Sequence, residues 1–310
     1  MKFYLIFINP QRQTLRSGWR VVIFFALLIP LYTLFSALTM LMVSEADQPT
    51  REQFLINDPF TATVHNLMLI LAVLIASAIC LHAFDHAPLR SIGYHLHIGW
   101  WRDYALGAGL AVLMMSVTVG IQWSAGWMSL RWSGLSMNDI FYSLTVSLVF
   151  FNLAGAFEEL VCRGYPLQTM VRDGHPVWGV LVTSTLFGLA HAGNPNVSLL
   201  GLFNTILAGG WLAVAYLKTR SLWLCTSLHW SWNWAMSAIY GLNVSGLQGI
   251  VQGSLLTSEQ NGPAWLTGGA YGPEGGLIVT IVIVGSTALL WRARWLTPAH
   301  TRQKNRGIDE

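Results

Sequence analysis

Long apolar runs broken by short polar stretches set the plan of this chain. A helix needs about 20 largely apolar residues to cross a bilayer. Eight runs reach or approach that length: Val21–Val43, Val64–Phe84, Tyr104–Trp123, Ile140–Phe157, Val177–His191, Ser198–Leu217, Leu222–Leu242 and Gly276–Trp291. The pattern predicts an all-α, polytopic transmembrane helical bundle of about eight spans. It divides into three N-terminal helices (1–138), a core (139–243), and a last part (244–310) holding an outer loop, the final span and a basic tail. The Gly-rich stretch Thr257–Gly276 is the longest polar loop and reads as a flexible outer connector.

Composition supports lipid as the solvent. Of 310 residues, 54% are hydrophobic and 10% charged, with mean hydropathy +0.50. A soluble domain carries roughly 25% charged residues, enough to cover its surface. Residues 1–20 hold Lys2, Arg12, Arg16 and Arg20 ahead of a full-length span, so they read as leading into a retained first helix.

Charge then orients the bundle, because Lys and Arg accumulate on cytoplasmic loops. With the N-terminus inside, the inner segments hold Lys2, Arg12, Arg16, Arg20, Arg90, Arg102, Arg172, Lys218, Arg220, Arg292, Arg294, Arg302, Lys304 and Arg306. The outer segments hold only Arg51 and Arg131, beside the acids Glu45, Asp47, Glu52, Asp58, Glu259 and Glu274. Both ends are basic, as an even number of spans requires. The expected setting is a bacterial inner membrane with both termini cytoplasmic. Topology accounts for the net charge of +3, and no nucleic acid is needed. Trp100, Trp101, Trp123, Trp127, Trp223, Trp291 and Trp295 near span ends fit interfacial anchoring. Cys80, Cys162 and Cys225 have no metal-like spacing and read as buried reduced thiols.

Ionisable groups inside membrane helices are costly and point to function. His82, His86, His95 and His97 fall around an inner loop where water or headgroups solvate them. His65 lies near an outer end, and His175 and His300 in a loop and the tail. Three clusters remain. In Glu158-Glu159-Leu160-Val161-Cys162-Arg163, Glu159 and Arg163 are four apart on one helical face, with the acid first, the favourable order. Glu158 is rotated by about 100°, so one carboxylate is paired and one left free, suited to general-base work. The bland alternative is a charge cluster at a helix end. The second cluster is Phe187-Gly188-Leu189-Ala190-His191, whose His equally suits a structural role. In the third, His229-Trp230-Ser231-Trp232-Asn233, two polar groups share one face of an apolar helix. For the clusters to meet, the fourth helix must run past Arg163 to about Arg172, broken or tilted near Gly164 and Pro166.

Taken in order, the clusters resemble the CAAX protease and bacteriocin-processing family (CPBP, or Abi) of intramembrane peptidases, which includes the type II CAAX prenyl proteases. Its motifs Glu-Glu-x-x-x-Arg, Phe-x-x-x-His and His-x-x-x-Asn are matched by Glu158, Glu159 and Arg163, by Phe187 and His191, and by His229 and Asn233. The resemblance covers about Ser147–Ala238. It implies an eight-helix bundle and an endopeptidase in which Glu158 and His191 activate a water and His229 and Asn233 stabilise the oxyanion. By the same resemblance, Glu159 and Arg163 hold the site together and Phe187 packs beside His191. It implies no metal cofactor; the alternative is zinc on Glu158, His191 and His229, although His-Glu-x-x-His is absent. The partners implied are membrane lipid and a peptide or membrane-protein substrate. Competing readings are a catalytically silent scaffold or immunity protein, a proton-coupled transporter, and a haem protein with His191 and His229 as axial ligands.

Overall fold

The computed structural model describes residues 6–9, 13–41, 58–251, 253–299 and 301. Lys2, Arg12, Glu45, Asp47, Arg51, Glu52, His300, Arg302, Lys304 and Arg306 lie outside them, as do the last two residues of the first predicted run. Helices occupy all eight predicted runs. They are α1 (Ser17–Met40), α2 (Pro59–Cys80), α3 (Trp100–Ser124), α4 (Met137–Glu159) continued by α5 (Tyr165–Arg172), α6 (Pro176–Ala190), α7 (Leu199–Thr219), α8 (Leu222–Trp234) and α9 (Leu277–Arg292).

Among the described residues five segments are long and apolar enough to cross a membrane: Ser17–Met40, Pro59–Asp85, Trp100–Ser124, Met137–Arg172 and Leu199–Thr219. About eight spans are expected from the apolar runs, and five of them meet the length and composition of a full span. The helices α6 and α9 have 15 and 16 residues, which is about 22–24 Å and short of the hydrocarbon core. The helix α8 is held back by composition. Packed against α3, α4 and α7, it meets protein rather than lipid, and Ser227, His229 and Ser231 are all buried within it. The surface elsewhere is lipid-like: Phe141 is 73% and Ile281 66% exposed. The chain is a polytopic helical membrane protein.

Local sequence sets the helix ends. Asp58 accepts from the amides of Phe60 and Thr61, with Pro59 opening α2. Ser136, Ser198 and Ser221 cap α4, α7 and α8 in the same way, each satisfying an otherwise unpaired amide. Small residues set the helix spacing. A Cβ on Gly107 of α3 would lie 2.7 Å from the Leu224 carbonyl of α8, and one on Gly209 of α7 would lie 2.8 Å from Ser184 Cα of α6. The fourth helix does run on to Arg172. It loosens into a π-helical turn at Leu160–Gly164, and Pro166 opens α5.

At one face Arg20 joins three segments. Its guanidinium reaches Asp85 Oδ1 at 2.8 Å and Asp173 Oδ2 at 2.6 Å, and the Ser17 amide donates to the same Asp173 oxygen. At the opposite face β1 (Met128–Trp132) pairs antiparallel with β2 (Leu256–Gln260), in register Met128↔Gln260. The Gly-rich connector is thus ordered rather than flexible. Tyr271 within it is 1% exposed. Gly272 has φ +95°, and a Cβ there would meet the Asn243 backbone carbonyl; glycine serves close packing at this point. His97 corrects another expectation. It is buried, with Nε2 3.1 Å from Ser221 Oγ, and ties the inner loop to the start of α8. Cys80, Cys162 and Cys225 are buried free thiols, and Trp101, Trp123, Trp291 and Trp295 are exposed at helix ends.

Replacing Arg20 with Ala would take the close guanidinium from two buried carboxylates, leaving Arg172 3.5 Å from Asp85 and the Ser17 amide on Asp173. Removing one partner of a buried ion pair costs about 3–5 kcal/mol. Thermal unfolding in detergent micelles should show Arg20→Ala melting well below wild type, whereas Lys218→Ala, whose ammonium bonds a carbonyl in an exposed contact, should melt with it.

Candidate active site

The site forms where α4, α6 and α8 cross. Glu158 and Glu159 close the last α-helical turn of α4, just before the π turn. Arg163 lies within that turn and is fully buried. The Arg163 guanidinium donates from Nη1 to Glu159 Oε1 at 2.9 Å and from Nη2 to the Gly209 carbonyl at 2.7 Å. It also stacks on the Phe187 ring, 4.7 Å from the centroid. Close approach of α6 and α7 at Gly209 puts that carbonyl within reach.

His229 Nδ1 lies 2.9 Å from the same Glu159 oxygen. His191, at the end of α6, has Nδ1 2.8 Å from the Phe187 carbonyl. Both partners are acceptors, so both Nδ1 atoms carry the proton; the tautomers follow from the partners. This turns both Nε2 atoms toward Glu158 Oε2, at 4.0 Å from His191 and 3.6 Å from His229. That carboxylate oxygen is buried and accepts no hydrogen bond among the described residues. The Phe187 ring packs against both imidazoles, with centroids 4.9 Å from His191 and 5.6 Å from His229. Asn233, one helical turn beyond His229, lines the space in front of them.

Sequence reasoning thus named residues that the fold brings together: Glu158, His191, His229 and Asn233 around one space, with Glu159, Arg163 and Phe187 behind them. That space is a cavity of about 780 Å³ between α1, α4 and α6, walled by Phe25, Tyr32, Phe151 and Phe157 and holding Glu158, His191 and Asn233. A smaller cavity of about 30 Å³ adjoins it past Phe187, His191 and Asn233, with room for water, which needs about 10–15 Å³. Two residues of this smaller cavity, Ser245 and Glu274, were missed. They come from the outer loops, and nothing in their sequence spacing ties them to the motifs.

Zinc would draw its ligand atoms to about 3.3 Å apart in a tetrahedron. The separations of 3.6 and 4.0 Å are wider. Among the described residues no group of three His, Cys, Asp or Glu is arranged to hold a metal ion. The side chains as placed do not fit the zinc alternative.

Fold and site together define a membrane-embedded helical protein with a carboxylate and two imidazoles beside a largely apolar cavity. Residues 140–235 match the family described as "Type II CAAX prenyl endopeptidase Rce1-like". The match spans about a third of the chain and takes in every motif residue from Glu158 to Asn233. It is the family that the motifs resemble. No curated protein matches the chain.

The Arg163 cluster carries its own test. Arg163→Ala would leave Glu159 buried against His229 alone, at a cost of about 3–5 kcal/mol. Arg163→Lys should recover only part of that, because one ammonium cannot reproduce the planar fork between Glu159 and the Gly209 carbonyl. Melting temperatures of the three proteins should therefore fall in the order wild type, Lys, Ala.

Proposed function

We propose that this chain is an intramembrane endopeptidase that cleaves a peptide bond of a membrane-associated peptide or protein using a water held by Glu158 and His191. One observation carries the proposal. Glu158 Oε2 and the unprotonated Nε2 of His191 are acceptors aimed at a common point without a donor between them. Acceptors facing one another in a dry site are unfavourable unless a donor joins them. A water gives one hydrogen to each and keeps a lone pair for the substrate carbonyl. Glu158 takes the proton as the water attacks and passes it to the leaving amine.

His229 and Asn233 serve the other side of the reaction. In this reading His229 is doubly protonated, its Nδ1–H held by Glu159, and its Nε2–H donates toward the developing oxyanion. The Asn233 amide is the second donor. Such a donor is worth about 10²–10³ in kcat. Glu159 fixes the His229 ring and Arg163 fixes Glu159. The core 139–243 is the catalytic unit in this reading, and the split of basic residues supports cytoplasmic termini in a bacterial inner membrane. Protein prenylation is not expected there, so the substrate is sought among unmodified membrane peptides.

Comparing the membrane and secreted peptidomes of cells with wild-type and Glu158→Ala protein tests the activity and names the substrate. Cleavage products should vanish with Glu158→Ala at unchanged melting temperature; their persistence in a folded variant would sink the reading. With that substrate purified, Asn233→Ala should lower kcat by about 10²–10³. Exhaustive chelation should leave turnover intact, and loss restored by added zinc would overturn the metal-free mechanism.

A further inference from the structure

Hydrolysis consumes one water for every bond cut, and the large cavity in front of Glu158 is ill-suited to supply it. Its walls are mainly aliphatic and aromatic, and apolar cavities stay dry. Between α1 and α6 it faces lipid, where Ile29, Tyr32, Leu186 and Leu189 line it and are exposed. Toward the Arg20 face its last residues are Phe25 and Cys162. Beyond them Tyr165 stacks on Phe24, both fully buried, with ring centroids 5.6 Å apart. The small cavity beside Asn233 ends on Trp211, Leu212, Val279 and Ile283, all buried.

A third cavity offers another route. About 270 Å³ in volume, it lies between the start of α2, the first half of α4 and the connector residues Ile250 and Val251. Phe150 and Ile250 line both this cavity and the large one, so the two meet there. Its α4 wall is polar, with Asp139, Tyr142, Ser143 and Ser147. Asp139 and Tyr142 are exposed, whereas Ser143 and Ser147 are buried. Both buried hydroxyls spend their protons on backbone carbonyls, Ser143 on Gly253 and Ser147 on Ser143 at 2.6 Å. Their oxygen lone pairs are left to accept from water. Spaced by four, Asp139, Ser143 and Ser147 form one row on α4, and Phe150, Ala154 and Glu158 continue it at steps of three or four. The row runs about 28 Å from the surface to Glu158. Polar groups on a membrane helix are costly unless they face protein or a water-filled space.

We propose that the cavity between α2 and α4 is the inlet for the hydrolytic water, with Phe150 and Ile250 as its constriction. Water enters at Asp139, passes Ser143 and Ser147, and reaches Glu158 along Ala154, while the peptide occupies the apolar cavity. This deepens the endopeptidase reading and rests on it for its purpose. Separate routes let a substrate fill the large cavity without cutting off the water that its cleavage consumes.

The test reads water directly, in full-length protein held in phosphatidylcholine nanodiscs. A nitroxide spin label at Ala154→Cys sits between the constriction and Glu158, with Cys162→Ala added so that no other thiol lines the cavity. In heavy water, deuterium modulation of the label's electron spin echo reports the water that touches it. The modulation should stand well above that of a label at Val149→Cys, an exposed position on α4. Val146→Trp, which fills the inlet alone, and Ile250→Trp, at the constriction, should each bring it down to the Val149→Cys level. Ile29→Trp, at the lipid-facing mouth, should leave it unchanged. Without a label, Val146→Trp should lower kcat and leave KM as it is, since Val146 does not line the peptide cavity. Modulation at Ala154→Cys no higher than at Val149→Cys overturns the assignment, as does modulation that survives both inlet variants or that falls only with Ile29→Trp. An inlet that behaves as expected while unlabelled wild-type protein cleaves no peptide would fault the endopeptidase reading and leave the inlet standing.

Discussion

The buried pair of Glu159 and Arg163 is the constraint on which the rest of the site depends. A guanidinium sealed at the centre of an apolar bundle is tolerable only if its donors are met. Glu159 and the Gly209 carbonyl take Nη1 and Nη2 from α4 and α7, and the Phe187 ring of α6 covers the guanidinium face, while Nε has no hydrogen-bond partner among the described residues. One side chain therefore fixes three helices. Glu159 passes the constraint on by fixing the Nδ1 proton of His229, which decides where the opposite ring nitrogen points. The free carboxylate of Glu158 gains its setting from its neighbour, since the residue that turns away from the pair is the one that faces the cavity.

The sequence made part of this legible, for identifiable reasons. Helix periodicity is local, so the spacing of Glu159 and Arg163 by four was enough to expect their pairing and the separate direction of Glu158. Depth along a helix is also local arithmetic. The requirement that α4 continue to Arg172, with slack near Gly164, followed from it and is met by the π turn at Leu160–Gly164. What escaped was long-range. Ser245 and Glu274 reach the cavity because outer loops fold back over it, and His97 is buried because Ser221 comes to it from a distant segment. No periodicity encodes such meetings.

Composition misled at the outer connector. The Gly-rich connector looked loose because glycine is permissive, yet here that permissiveness allows backbones to touch, as at Gly272 and Asn243. The eight apolar runs differ in length and composition, because hydropathy reports what surrounds a helix as much as whether it crosses. The helix α8 is ringed by protein, so its sequence is free to carry hydroxyls, imidazole and amide where a lipid-facing helix could not.

The unequal lengths of neighbouring helices have a consequence of their own. The rod from Met137 to Arg172 has 36 residues, about 54 Å, while α6 beside it stops after 15 at His191, about 22 Å. No single bilayer thickness matches both. A membrane accommodates such mismatch by thinning, or the helices by tilting, at fractions of a kcal/mol per Å. The short helix ends at Ala190, capped by His191, so the mismatch falls at the candidate site itself. The acyl-chain length of the host lipid thereby becomes part of the site's architecture, deciding how far water must travel to reach His191.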